Sequence, residues 1–492
     1  MLDALAAVPR VVSLTPPLGP ISVRDQAVRG HIVASRAVRH WPPSSPERGF
    51  YSVVVGAGVA GVCAALTLAR LGHRVLVVDR ASHAFHRQLL SRGRHLDPHF
   101  YDWPSSSYHA TSFPPAWPGL RRGAVDAVPL AYEAGYAHDI ARQWYEDLEF
   151  RGVRIVSSLA ELETVGARTT MVLGVACSSL LAFPADDDDL SDVSIELTEV
   201  AAAADRDGHR EQVRLTCSLL IVTTGFQEIL KPQPPTRVEI SSPPYWHGKR
   251  DDWLTKTMQG AKRPQRVLVV GGGDGATQDF LRLVTGTDDA RRLLPRLEAC
   301  LGAADVEDLR RSLVLHDQCF LRGYAWVAER SEDEDPYHES LDDLVGERAR
   351  ELLRDVGRRD RWMQCVRGWK QSQDWARLDL CVRDEFFNPL FAFNRLLMHL
   401  LLALEEELED LDIGIQLGQR LEAAREIEPE PGGRALQVTL VKGVEHEQRD
   451  YDHVLLRFGL KSVGVAEGNE RLPSRRRALR LLPPFYVPAR RS

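Results

Sequence analysis

The chain has 492 residues, with 62 Lys plus Arg against 69 Asp plus Glu and a formal net charge of -7. Apolar residues make up 44% and charged residues 27%, which excludes a mainly disordered chain, a fibrous repeat, or a protein that coats nucleic acid by bulk basic charge. At roughly 150 residues per domain, the length predicts about three domains.

The cysteines are Cys63, Cys177, Cys217, Cys300, Cys319, Cys365 and Cys381, and no two stand in a CxxC spacing. That argues against a zinc ribbon, a redox-active CxxC pair and a disulfide scaffold, and it fits a reducing compartment. No uncharged apolar stretch reaches 18 residues, so no membrane span is expected. Pro9, Arg10, Pro16 and Pro17 interrupt any signal-peptide layout, and the expected location is cytoplasmic.

Residues 1–48 read as an N-terminal extension. The run Tyr51–Val55 reads as a strand and leads at once into Gly56-Ala-Gly58-Val-Ala-Gly61. Val62 to Leu71 reads as a helix closed by Gly72, and Arg74–Asp79 as a second strand ending in an acid. Residues 131–150 read as a helix and Val153–Val156 as a strand. The Asp186–Asp189 tract reads as a solvated loop. Val193–Val200 and Val213–Cys217 read as a hairpin, followed by an apolar strand from Leu219 to Gly225. Prolines between 232 and 244 mark a linker, and the aromatics Tyr245 to Trp253 read as packing within it. The same order restarts with the strand Val267–Val270, the turn Gly271-Gly-Gly273-Asp-Gly-Ala276 and a helix from Thr277 to Val284. A mostly helical stretch covers 290–410. Strands return at Ile413–Leu417, Leu436–Val441 and Tyr451–Gly459. The domains expected are a unit over 49–262 including the linker, a second over 263–462 with the helical insert at about 290–410, and a basic tail over 463–492. Between 471 and 491 the tail has seven Arg and no acid. The fold class expected is α/β, with two Rossmann-like three-layer dinucleotide-binding domains and a helical insert.

A dinucleotide pyrophosphate is held by backbone N–H groups and by the positive end of a helix. In the first turn, Gly56 suits the tight turn, Gly58 the approach of backbone to phosphate, and Gly61 close helix–strand packing. Asp79, at the end of the second strand, is placed to accept hydrogen bonds from ribose hydroxyls. These residues, with Leu219 to Gly225 and its Thr223-Thr224-Gly225 ending, resemble the FAD-binding domain of the two-dinucleotide-domain flavoproteins. That superfamily includes flavin-containing and N-hydroxylating monooxygenases and pyridine-nucleotide reductases. The resemblance implies that the first turn and Asp79 hold FAD, with Thr224 and Gly225 beside it.

Gly271, Gly273 and Ala276 form a second, GxGxxA turn, and the resemblance implies NADPH or NADH there. Asp279 falls near the position of an acid in the family's turn. Asp274 places a carboxylate in this phosphate loop, where it repels a pyrophosphate unless it points away. No second strand ending in an acid or Arg is legible after the turn, which leaves Arg291 and Arg292 as candidate 2′-phosphate partners. No Gly-Asp pair follows Gly459, which weakens the match to the reductase branch.

The loop from His83 to Pro104 concentrates His95, Asp97, His99, Tyr101, Asp102 and Trp103. In such folds this loop passes near the flavin ring, and His99, Tyr101 and Asp102 are the candidate catalytic groups for stacking and proton transfer. The HxDxH spacing lacks a fourth ligand, and no metal is expected. Asn394, Arg395 and His399 on one apolar helix read as partly buried groups beside a pocket.

The function expected is an FAD-dependent oxidoreductase, NAD(P)H-using and monooxygenase-like, acting on a small molecule. The rivals are an FAD-only oxidase with a degenerate second nucleotide domain, and a non-enzymatic nucleotide-sensing flavoprotein. No membrane or nucleic-acid partner is expected.

Overall fold

The computed structural model describes residues 6–8, 10–14, 22–41, 52–114, 128–164, 167–182, 192–200, 211–228, 237–240, 242, 245–246, 264–287, 289–326, 336–373, 375–387, 390–404, 406–427, 435–458 and 460–462. The Asp186–Asp189 tract, the linker prolines, His247 to Trp253, Gly459 and the Arg-rich tail lie outside the described residues. Two compact units emerge. The first gathers the described residues up to Arg92, those between 110 and 227, and 461–462; the second gathers 93–109 and those between 228 and 460.

In the first unit, β1 (Ala6–Val8), β2 (Val11–Ser13) and α1 (Val23–His40) precede β3 (Ser52–Val55), α2 (Val59–Arg70) and β4 (Val75–Asp79). Then come α3 (Ala137–Phe150), β5 (Val153–Val156), β6 (Thr169–Leu173), β7 (Val175–Ala182), β8 (Val193–Glu199), β9 (Gln212–Cys217) and β10 (Leu219–Val222). Seven strands form one sheet in the order β1-β2-β10-β3-β4-β6-β5, parallel except for the β1–β2 hairpin. The central strands β3 and β10 are buried at every residue, as a sheet covered on both faces requires. The β7-β8-β9 meander is antiparallel and pairs Val193 with Cys217, as its alternation predicts.

The segment read as an extension belongs to this unit. Ser22 and Asp25 form a capping box that starts α1. Gly30 then lets α1 cross α2 closely, because a Cβ at Gly30 would stand 2.1 Å from the Ala60 carbonyl oxygen. No residue other than glycine fits this crossing without moving backbone.

In the second unit, β11 (Gln265–Val270) and α4 (Asp274–Thr285) lead into four helices: α5 (Ala290–Leu301), α6 (Ala303–Trp326), α7 (Pro336–Leu353) and α8 (Val356–Gln371). The chain returns as β12 (Trp375–Cys381), α9 (Ala392–Leu402) and β13 (Ile413–Gln416), then the meander β14 (Arg420–Ile427), β15 (Ala435–Lys442) and β16 (Glu445–Tyr451), and finally β17 (His453–Leu456). The parallel sheet has the order β13-β12-β11-β17. The second strand of this dinucleotide-type fold is therefore β12, delivered after four helices. Its pattern hides it, since Asp379 lies mid-strand. That carboxylate is fully buried and accepts from the Tyr451 hydroxyl at 2.7 Å and from Arg377 Nε at 2.9 Å. Gly414 on β13 makes the room, because a Cβ there would stand 2.1 Å from Asp379 Oδ1.

The insert packs as one core around Trp362, whose indole N–H donates to the Leu400 carbonyl at 2.9 Å. Cys300 on α5 and Cys365 on α8 form a disulfide across 65 residues of chain. Cysteine spacing gave no sign of it, because helix packing and not sequence proximity brings the two together. Among the described residues, no helix is long and apolar enough to cross a membrane.

Candidate functional site

The first glycine turn sits where the parallel strands β3 and β10 end side by side, with Val55 opposite Val222. Ligands of open α/β sheets bind at such carboxyl ends. Gly56 has φ +109, and a Cβ on it would lie 2.4 Å from the Thr223 carbonyl oxygen. A Cβ on Gly61 would lie 1.8 Å from the Gly56 carbonyl oxygen. Gly58 is different. It is the N-cap of α2 with ordinary extended backbone, and a Cβ there would meet nothing within 4 Å. Two glycines thus close the turn, and the third leaves the space in front of the helix open.

No side chain among the described residues caps α2, so its first N–H groups face that space with the positive end of the helix dipole. Asp79 accepts from the Ala57 N–H at 2.6 Å and from the Ala81 N–H at 2.8 Å. Each carboxylate oxygen keeps a lone pair beyond these bonds. Thr223 carries a role that the sequence pattern does not signal. Its hydroxyl lies 3.0 Å from the carbonyl oxygens of both Val55 and Gly56 and staples β10 to the turn. Thr224 follows, half-buried, and Gly225 takes φ +73. An uncapped helix start, an open glycine and an acid at the second strand's end are what a dinucleotide pyrophosphate and ribose need, so these residues fit FAD. Cys63 on α2 is fully buried and burial pushes its thiol up to about 12, which suits a core residue.

The second turn repeats the geometry. Gly271 has φ +142, and a Cβ on it would lie 2.2 Å from the Arg457 carbonyl oxygen. Gly273 is the N-cap of α4, without a side-chain cap and with open space in front of it. Ala276 is fully buried, and a Cβ on Gly271 would also lie 3.2 Å from the Ala276 Cβ. Asp274 points away from the turn. Its carboxylate accepts from Asn394 Nδ2 at 2.7 Å, from the Phe391 N–H at 3.3 Å and from Gln278 Nε2. Burial pushes its carboxyl up to about 6, against the opposing pull of these hydrogen bonds. Asp279 lies between Arg94 at 2.6 Å and Arg457 at 2.7 Å. Burial works to raise it, but the two guanidinium groups outweigh burial and hold it down at about 2.

β12 ends at Cys381, and Arg383 and Asp384 follow at the position from which dinucleotide folds reach the adenosine ribose. Arg383 is three-quarters exposed. Arg291 and Arg292 are placed elsewhere, on α5. Arg291 grips Asp97 through two bonds of 2.6 and 3.0 Å, and Arg292 pairs with Asp289.

The loop carrying the candidate catalytic residues belongs to the second unit. His99 is fully buried, with Nδ1 3.2 Å from the Asp102 carboxylate. Tyr101 is half-buried, with its ring 4.2 Å from that of Phe391. Of the three, Tyr101 lines a pocket, and His99 and Asp102 are not among its lining residues. Phe100 and Trp103 anchor the loop on Phe393, at 4.9 and 5.4 Å between ring centres. Asn394 lines the same pocket, whereas Arg395 and His399 turn inward onto Asp342. Among the described residues no cluster of three or more His, Cys, Asp or Glu could hold a metal ion.

Residues 52–220 match the family model of the FAD-dependent oxidoreductases. The matched span contains the glycine turn and Asp79 of the first unit. No curated protein matches the chain. Among solved structures, the chain is similar to the thioredoxin reductase of Lactococcus lactis, at 12% identity and TM-score 0.35 over 86% of this chain and 81% of that one. It is also similar to the bacillithiol disulfide reductase of Staphylococcus aureus, at 12% identity and TM-score 0.38 over 85% and 80%. A third is the FAD-bound cadaverine monooxygenase of the desferrioxamine biosynthetic pathway of Erwinia amylovora, at 11% identity and TM-score 0.37 over 86% and 81%.

Proposed function

We propose that this FAD-dependent oxidoreductase draws its electrons from NADPH bound at the second glycine turn, and that it acts in a monooxygenase-like way on a small molecule. The observation that carries the reading is the direction of Asp274. A carboxylate aimed at the phosphates would repel them, but this one is tied to the start of α9 and leaves the Gly271–Gly273 turn open. Arg383, just past the end of β12, is the group offered to a 2′-phosphate, which favours NADPH over NADH.

FAD, when bound, accepts a hydride and passes electrons on to a substrate or to oxygen. This chain's residues bind and orient it: the α2 N–H groups meet the pyrophosphate, and Asp79 meets the ribose. Among the described residues, the free cysteines Cys63, Cys177, Cys217 and Cys381 are buried and burial pushes each thiol up to about 12, so none of these four suits a dithiol relay.

The test is anaerobic addition of NADPH or NADH to the purified yellow protein. Rapid bleaching by NADPH, at least tenfold more efficient than by NADH, is expected. Bound flavin that neither nucleotide bleaches would leave an FAD-only oxidase as the better reading.

A further inference from the structure

Arg29 on α1 is 4% exposed, and none of its three side-chain nitrogens has a hydrogen-bond partner among the described residues. Burial pushes this guanidinium down to about 10, against the opposing pull of Asp25 one turn earlier. Asp25 has no acceptor position left to offer it. One carboxylate oxygen takes two bonds from Ser22, and the other takes two from Arg24. A planar guanidinium shut away from water with its N–H groups unanswered calls for an anion rich in oxygens.

The fold places this cation beside the first glycine turn. Ser13, Val222 and Val55 lie level with one another where the parallel strands β2, β10 and β3 end. α1 carries the chain back from β2 to β3, and α2 carries it back from β3 to the parallel strand β4. Both helices therefore start at the carboxyl end of the sheet and run in the same sense. Gly30 meets Ala60, the second residue of α2, and His31 reaches Thr67 further along it. The two turns of α1 before Gly30 thus project past the start of α2. Side chains on a helix lean toward its N-terminus, and the pull of Asp25 on Arg29 is that of a side chain leaning this way. The guanidinium is held toward the space in front of Gly58, where the α2 N–H groups are uncapped.

We infer that Arg29 binds the pyrophosphate of FAD, reaching it from a helix outside the strand–turn–helix unit that supplies the glycines. The inference rests on FAD occupying the first turn and is independent of nicotinamide binding at the second. A guanidinium pairs with a phosphate through two parallel N–H···O bonds, and a pyrophosphate held by helix N–H groups keeps oxygens free for such a pair. A ribose or a flavin ring would leave the buried charge uncompensated. The N-terminal segment is then part of the cofactor site, with Gly30 setting how closely Arg29 approaches it.

Flavin is stripped from the full chain, and rebinding of FAD is followed by the quenching of its fluorescence. Arg29→Met should weaken FAD at least tenfold. The same change should leave the melting temperature of the flavin-free protein equal or higher, because an apolar side chain of similar length replaces a buried, unpaired charge. A residue that only packs the helices would lower both together. FAD binding as tight as in the native protein, or a flavin-free melting temperature that falls along with the affinity, would overturn the assignment. If Arg29→Met does not fold, Arg29→Lys, which keeps the charge and loses the planar fork, should weaken FAD at least threefold, and unchanged binding would overturn it. Gly58→Val separates this inference from the placement of FAD. Flavin retained by Gly58→Val would remove FAD from the first turn and Arg29 with it. Flavin lost by Gly58→Val but kept by Arg29→Met would strike Arg29 alone.

Discussion

Asp274, the first residue of α4, accepts a 2.7 Å hydrogen bond from Asn394 on α9, and this contact turns a carboxylate away from the glycine turn that precedes it. Two like charges 4 Å apart near a protein surface repel by about 4 kcal/mol. Released from Asn394, the carboxylate would stand near a bound pyrophosphate. Asn394→Leu should therefore weaken NADPH binding at least tenfold, and adding Asp274→Ser should restore most of it. Anaerobic flavin bleaching against NADPH concentration reads both. A double variant as weak as the single one would mean that Asn394 shapes the fold alone.

The two acids of α4 should shape the pH dependence of stability in opposite directions. Burial raises the Asp274 carboxyl to about 6, above its unfolded value of about 4. The folded state then holds the extra proton, so this group's contribution is present below about pH 4 and lost as pH rises through 6. Asp279 is held at about 2, below its unfolded value. Its contribution is present above about pH 4 and lost as pH falls toward 2. Thermal unfolding from pH 3 to 8 should show Asp274→Asn flattening the loss between 4 and 6. Asp279→Asn should cost about 3 kcal/mol at neutral pH, because Arg94 and Arg457 are left buried with their charges.

The three glycines of the first turn should part company when substituted. Gly58→Val adds a side chain where the backbone is extended and nothing lies within 4 Å, so the variant should fold with the melting temperature of the flavin-free native protein. That side chain occupies the pyrophosphate's place, and the variant should come off the column colourless. Gly61→Ala pushes a Cβ to 1.8 Å from the Gly56 carbonyl and should destabilise the first unit itself by about 1–3 kcal/mol. Flavin content and melting curves together separate the two effects. A yellow Gly58→Val would remove the turn from the phosphate site.

That turn was legible in the sequence because local chemistry dictates it: three glycines, a strand before, a helix after, an acid at the second strand's end. What long-range packing dictates was not. The strand β12 carries Asp379 where a buried strand should be apolar, and its partners Tyr451, Arg377 and the space left by Gly414 come from distant segments. The same limit hid α1, whose place beside α2 is set by the glycine–carbonyl approach at Gly30 and by the 2.9 Å bond between His31 and Thr67. The His95 to Trp103 loop advertised its chemistry, but its seat in the second unit depends on Arg291 and Phe393, residues nearly 200 and 300 positions away.

Arg383 should decide between the two nicotinamide nucleotides. It follows the last residue of β12 by two positions and is well exposed, pairing at 3.1 Å with the neighbouring Asp384. Losing one charge-assisted bond to a phosphate costs about 1.5–3 kcal/mol, or roughly 10- to 150-fold. Arg383→Gln should raise the KM for NADPH by that factor and leave the KM for NADH unchanged. Equal effects on both nucleotides would place the 2′-phosphate elsewhere.

The disulfide between Cys300 and Cys365 ties α5 to α8, and α5 also carries Arg291, which holds the Asp97 loop. Closing a loop of this length is worth about 4 kcal/mol through the unfolded chain. Cys365→Ser should lower the melting temperature of the oxidised protein by several degrees, and dithiothreitol should lower that of the native protein by a similar amount without affecting the variant. Flavin content should stay constant, because the first glycine turn lies in the other unit. A native protein whose melting curve ignores dithiothreitol while two thiols titrate in it would show that the bond contributes nothing to stability in solution.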